Sequence, residues 1–248
     1  SIDADIILAT DPDADRIGVA VKDTNGDYYL LNGNQTATIL TDYILTEYKQ
    51  KEKLKPEDYI VKTIVTSDML SEIAEFYGVK SYEVLTGFKY IARIIKEKAG
   101  DRFLGGFEES YGYLFSDVVR DKDALMSALY IIEAALYAKN NNKTLIDLLN
   151  DAYLKHHFYY TKLINIEKDG VEGIQEINQI IETFREDVPA IINEVNVVII
   201  RDFIEGIETN LFNGEQKDLQ FPKSTVIQLI LEDETKITIR PSGTEPKM

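Results

Sequence analysis

The first apolar run, residues 1–9, is broken by Asp3 and Asp5 and reads as a strand. Polar residues Asp11 to Arg16 follow, then a second strand over Ile17 to Lys22. Asn25-Gly26 is a hairpin signal ahead of a third strand, Tyr28 to Leu31. Ile39, Leu40, Tyr43, Ile44 and Tyr48 then recur at helical spacing, with Asn34 as the expected cap. The charged stretch Lys49 to Asp58, with Pro56, reads as a linker.

A regular alternation comes next. Tyr59 to Thr66 is a β-branched strand, and Ser67 or Asp68 caps a helix with Met69, Leu70, Ile73 and Phe76 on one face, stopped at Gly78. Ser81 to Leu85 is a strand, Phe88 to Lys98 a helix stopped at Gly100, and Phe103 to Phe107 a strand. A long loop leads to a helix from Ala124 to about Lys139, and Thr144 with Asp147 caps another that runs to about Lys155. Strands alternating with helices predict an α/β fold with a doubly wound, parallel or mixed sheet, whose ligands bind at the carboxyl ends of the strands.

The last third changes character. Strands are expected at Phe158–Ile166, Val195–Arg201, Thr225–Leu231 and Thr235–Arg240, the last two as a hairpin, with a helix over Gly170–Asp187. This is an α+β pattern. The expected division is residues 1–55, 56–157 and 158–248.

Composition narrows the chemistry. The 248 residues are 44% hydrophobic and 28% charged, as in soluble globular proteins, and no apolar run is long enough to span a bilayer. The interrupted first segment predicts no signal peptide. With no cysteine, thiolate metal sites, disulfides and cysteine nucleophiles are excluded, and a cytoplasmic location is expected. A net charge of −16 argues against nucleic acid as a partner. An anionic substrate would need local cations against that field.

Five clusters carry candidate chemistry. Asp11, Asp13 and Asp15 alternate directly after a strand, and hard oxygen donors so close suit Mg²⁺ or Ca²⁺. A solvated acidic turn is the plain alternative. An EF-hand loop is ruled out, because its sixth and twelfth positions hold Arg16 and Lys22. Arg16 beside the acids points to an anion bound across the cation. Gly106-Phe107-Glu108-Glu109-Ser110 follows a strand, where carboxylates and a hydroxyl can bind vicinal sugar hydroxyls; a helix-cap turn is the alternative. Thr86-Gly87-Phe88-Lys89 opens a helix, a site that attracts anions, and Arg120-Asp121-Lys122-Asp123 precedes another. Arg240-Pro241-Ser242-Gly243-Thr244 follows the last strand and supplies a guanidinium, two hydroxyls and a glycine turn suited to phosphate. His156 and His157 are adjacent and point apart, which makes a poor ligand pair.

Taken in order, "TDPDADR", "TGFKYI", "GFEES", "RDKDA" and "RPSGTEPK" resemble the loops of the α-D-phosphohexomutase superfamily along nearly the whole chain. That family arranges four domains around one cleft, and phosphoglucomutases and phosphomannomutases belong to it. The resemblance implies that Asp11, Asp13 and Asp15 ligate Mg²⁺ and that Arg16 steadies the transferring phosphoryl group. Glu108 and Ser110 would bind sugar hydroxyls. Lys89 and Lys122 would serve proton transfer or charge stabilisation. Arg240, Ser242, Gly243 and Thr244 would grip the non-reacting phosphate. It further implies a phosphoserine and glucose 1,6-bisphosphate as intermediate and activator. No serine of this chain is followed by His-Asn-Pro, so the serine loop is absent and a C-terminal fragment, itself inactive, is expected. "GFEESYGYLF" favours glucose over mannose, with phosphomannomutase and phosphopentomutase as alternatives. A phosphosugar-binding module without catalysis and a haloacid-dehalogenase-like phosphatase using Asp11 are further alternatives.

Overall fold

The computed structural model describes residues 3–168, 170–241 and 248. They form two units, Ser1–Thr161 and Lys162–Met248, each with its own core. Among the described residues no helix is long and apolar enough to cross a membrane.

In the first unit, β1 (Ile6–Thr10), β2 (Ile17–Lys22) and β3 (Tyr28–Leu31) make an antiparallel sheet in that order. Val19 of β2 lies opposite Leu8 on one side and Leu31 on the other. Strict alternation then buries Ile17, Val19 and Val21 on one face, as a period-two pattern requires.

α1 (Gly33–Gln50) is capped by Asn32, two residues before the expected cap. Asn32 Oδ1 accepts the Gln35 N–H, and Gln35 Oε1 accepts the Asn32 N–H, both at 2.9 Å. The reciprocal box needs Gln or Glu three residues on. Asn32 has Gln35 there, whereas Asn34 has only Ala37. Asn34 instead accepts the N–H of Ser67 at 2.9 Å, tying α1 to the turn ahead of α2 (Met69–Phe76). Asn32→Ala is expected to lower stability by about 1 kcal/mol; urea unfolding with an unchanged m-value checks it.

β4 (Asp58–Thr63), β5 (Lys80–Val84), β6 (Arg102–Glu108) and β7 (Gly112–Leu114) form a sheet in the order β5-β4-β6-β7. β5 and β6 run parallel to β4, and β7 runs antiparallel to β6. β4 is buried on both faces. Its Ile60 joins the cluster of α1 and α2, while Tyr59 and Val61 meet Phe88, Ile91 and Ile95 of α3 (Phe88–Glu97). Helices therefore cover both faces, the doubly wound arrangement, with β7 making the sheet mixed. α4 (Ala124–Asn140) and α5 (Leu145–Lys155) complete the same core; Thr144 and Asp147 form the expected capping box on α5.

The expected boundary after residue 55 runs through this core. Val19, Leu40 and Leu45 share one cluster with Ile60, Ile73, Phe107 and Leu149. α1 packs on α2, α4, α5 and β6, so its apolar stripe belongs with the elements that follow.

In the second unit, α6 (Gly170–Glu186) buries Ile177 and Ile181. It shares a core with Val197 and Ile200 of β9 (Val195–Asp202), Leu229 of β12 (Ile227–Leu231) and Ile239 of β13 (Lys236–Ile239). With β10 (Ile207–Asn210) and β11 (Gln216–Asp218) these strands form an antiparallel sheet, β11-β10-β9-β12-β13, and β8 (Ile191–Ile192) pairs with β9. One helix on an antiparallel sheet is α+β, as expected. Residues 158–166 do not form the expected strand. Phe158, Tyr160, Leu163 and Ile164 are exposed, and among the described residues Ile166 makes a two-way backbone pair with Met248 at 2.9 Å. Among the described residues, the segment has no partner strand along which a ladder could form.

Candidate functional site

The carboxyl ends of β4, β5 and β6 carry candidate site residues of the first unit. Gly87 follows β5 with φ 116°, a conformation that favours glycine, and opens α3. Its N–H donates to Glu108 Oε1 at 3.0 Å. Glu108 ends β6 and is only 4% exposed. Burial pushes its carboxyl above the usual range, and neighbouring Glu109 adds to the rise. The Gly87 N–H, Lys122 and Arg16 oppose it.

The turn after Glu108 is held from below. Thr63 Oγ1, at the end of β4, donates to Glu109 Oε2 at 3.3 Å. Ser110 is half-buried on the turn, and Tyr111 has φ 68°. Two further loops are bonded to this one. The Ile17 N–H donates to the Tyr111 carbonyl at 3.1 Å, and Arg16 bridges to Gly112. The Ala124 N–H donates to the Ala14 carbonyl at 3.3 Å, and the Asp123 N–H to the Tyr113 carbonyl at 2.9 Å. Residues 11–17, 108–113 and 122–124 are thereby one hydrogen-bonded assembly.

Within it, Lys122 Nζ lies 3.0 Å from Asp15 Oδ2, and Arg16 Nε lies 3.9 Å from Asp15 Oδ1. Asp15, Arg16, Glu108 and Lys122 thus come together from three loops. Lys89 is exposed on the first turn of α3, its Nζ 4.9 Å from the Tyr90 ring centroid. In the second unit, Arg240 follows β13 and is exposed. Ser242, Gly243 and Thr244 lie outside the described residues.

The acidic turn does not gather its carboxylates. Asp11 Oδ1 accepts the N–H groups of Asp15 at 3.2 Å and Arg16 at 3.3 Å. Burial pushes the Asp11 carboxyl up, and those N–H groups outweigh it to hold it below the usual range. Asp15 is turned to Lys122, and Asp13 is exposed. Asp15 Oδ1 is buried with no hydrogen-bond partner, its ion pair with Arg16 Nε being 3.9 Å long. Among the described residues, however, no group of three or more acidic or histidine side chains is placed to hold a metal ion. The donor chemistry suits Mg²⁺, and the placement does not.

Sequence patterning missed three supports. Gly33 packs against the Glu109 backbone, the Tyr113 hydroxyl donates to the Gly33 carbonyl at 2.9 Å, and Gly112 lies against Lys122. Asn32-Gly33-Asn34 at a helix start was the available signal for the first. His156 and His157 meet different partners, Asp42 and Glu72, so they form no ligand pair.

Comparison with known proteins fits this geometry. Over the full chain, 39% of residues are identical to a phosphoglucomutase of Staphylococcus epidermidis, and 37% over 99% of the chain to that of Staphylococcus aureus. The chain spans 44% of the length of these relatives. The crystal structure of parafusin, an exocytosis-sensitive phosphoprotein and phosphoglucomutase from Paramecium, matches 97% of this chain and 38% of its own at a TM-score of 0.65 and 18% identity, which carries the fold. The family model for "Phosphoglucomutase/phosphomannomutase, alpha/beta/alpha domain III" matches residues 32–156, taking in α1 through α5. With half of its length so matched, the chain belongs to the phosphoglucomutase/phosphomannomutase family.

Proposed function

We propose that the protein works as a phosphoglucomutase, interconverting glucose 1-phosphate and glucose 6-phosphate through a phosphoserine outside these residues and a glucose 1,6-bisphosphate intermediate. The observation that carries this reading is the bonded assembly of three loops, which brings Glu108, Lys122 and Arg16 to the carboxyl ends of the parallel strands. Phosphoryl transfer is mostly positioning and charge neutralisation, and that is what these groups can supply. In this reading Glu108 and Ser110 take sugar hydroxyls. Arg16 steadies the phosphoryl group, and Lys122 and Lys89 offset charge or move a proton at the reacting oxygen. Arg240, Ser242, Gly243 and Thr244 grip the remote phosphate. The phosphoglucomutase names of the relatives support glucose over mannose. A cytoplasmic setting goes with this reading.

For Mg²⁺ the proposed donors are Asp11, Asp13 and Asp15, whose side chains would have to turn toward one another to share the ion. When bound, the ion would offset phosphate charge. Asp11 Oδ1 already accepts two backbone N–H groups, which would orient that carboxylate at the ion.

The direct test is titration of the chain with glucose 1,6-bisphosphate, followed by backbone NMR. Perturbation at Glu108–Gly112 and Lys122 is expected; shifts confined to other surfaces would sink the reading. Glu108→Gln should cost about 1 kcal/mol of sugar binding, roughly fivefold in discrimination between glucose and mannose phosphates, because a charged acceptor becomes neutral. Stability should move the other way. The folded Glu108 carboxyl titrates above its unfolded range, so native Glu108 binds protons that the unfolded chain has lost. Stability therefore falls as pH rises through that interval. The Gln variant should lack this fall, and urea unfolding at several pH values reads it.

A further inference from the structure

Gly112, the first residue of β7, sits between Glu108 and Lys122. Its φ is outside the left-handed region, so backbone conformation does not demand glycine. Space does. A Cβ at this position would lie 2.5 Å from Cδ and 3.0 Å from Cγ of Lys122, and 3.3 Å from Glu108 Oε2. The obstacle is the stem of the lysine whose Nζ reaches Asp15 Oδ2 at 3.0 Å, with the Lys122 side chain 16% exposed. The backbone of Gly112 cannot retreat, because it pairs with Glu108 in the β6–β7 ladder and bridges to Arg16. The lysine must move instead.

We infer that Gly112 is a positioning residue, whose missing side chain seats Lys122 across the β6–β7 turn so that its ammonium meets Asp15 beside Glu108. The importance of that seat for turnover rests on the role proposed above for Lys122; the seat itself does not. A flexible side chain can yield where backbone cannot, so an added methyl unseats the ammonium without unfolding the chain.

Acetylation by a small activated ester, read lysine by lysine with mass spectrometry, tests this on the whole chain. Gly112→Ala should raise the Lys122 rate about fivefold, the factor expected from breaking a partly exposed ion pair. Asp15→Asn should raise it equally. Lys62, which is 1% exposed, is the control for general loosening and should stay protected. An unchanged Lys122 rate in Gly112→Ala, or a parallel rise at Lys62, overturns the inference. If Gly112→Ala alone does not fold, Lys122→Ala is added. Recovery of the melting transition supports the seat, and no recovery overturns it. Protection of Lys122 by glucose 1,6-bisphosphate is a separate arm. Its failure counts against the proposed function and leaves the seat to be judged by the acetylation rates.

Discussion

Supplied with glucose 1-phosphate, glucose 1,6-bisphosphate and Mg²⁺, the 248-residue chain is expected to form glucose 6-phosphate at no more than the background rate. The cycle proposed above needs a phosphorylated hydroxyl facing the sugar, and no serine here stands in a Ser-His-Asn-Pro setting. In that reading Glu108, Lys122 and Arg16 position substrate and offset charge, and none of them is the group that carries the phosphoryl between sugar positions. Positioning multiplies the rate of a step whose reactants are present and supplies nothing when one is missing. The placement of the acids adds to this, since Asp11 is held by its own turn and Asp15 by Lys122. A coupled dehydrogenase assay reads the product. Turnover lost on Ser110→Ala would place a nucleophile within the turn after β6 and overturn the expectation.

The elements legible in the sequence are those with a full period of burial. β2 and β3 match their expected bounds because an alternating strand and an Asn-Gly turn leave one register. α3 and α5 match because glycine or a capping box marks an end. The loops that gather at the sheet edge were legible as motifs, and the gathering was not. Asp15 meets Lys122 across more than a hundred residues, through bonds made by backbone at Ala14, Tyr111 and Tyr113. Backbone donors and acceptors are the same in every residue but proline, so the sequence does not distinguish them. β7 escaped because three residues, Gly-Tyr-Leu, are too short for any periodicity. Residues 158–166 misled for the opposite reason, since they have strand composition and, among the described residues, join no sheet. The acidic turn shows the same division. The spacing of Asp11, Asp13 and Asp15 predicts shared ligation, while the local geometry of one Asx-like turn turns Asp11 onto its own N–H groups.

Gly33→Ala is expected to destabilise the first unit by about 3 kcal/mol, at the upper end of overpacking costs. Helix propensity gives the opposite sign, because alanine is better than glycine by roughly 1 kcal/mol within a helix. The structure decides between them. A Cβ on Gly33 would stand 1.8 Å from the Glu109 carbonyl oxygen, 2.6 Å from its carbon and 3.0 Å from the Tyr111 nitrogen. All three are backbone atoms, so no rotamer change relieves the clash, in contrast to Gly112. Neither side can yield freely. The start of α1 is fixed by the Asn32–Gln35 box and by the Tyr113 hydroxyl on the Gly33 carbonyl. The opposing turn is fixed by Thr63 on Glu109 and by Ile17 on Tyr111. Moving that turn also shifts Glu108 and Gly112, so the variant should lose the perturbation by glucose 1,6-bisphosphate along with its stability. For a unit of this size the cost corresponds to a fall in melting temperature of roughly 6–12 °C. Urea unfolding of the variant within about 0.5 kcal/mol of the parent would mean that the close approach is not needed, and that the turn after Glu108 is not anchored on α1.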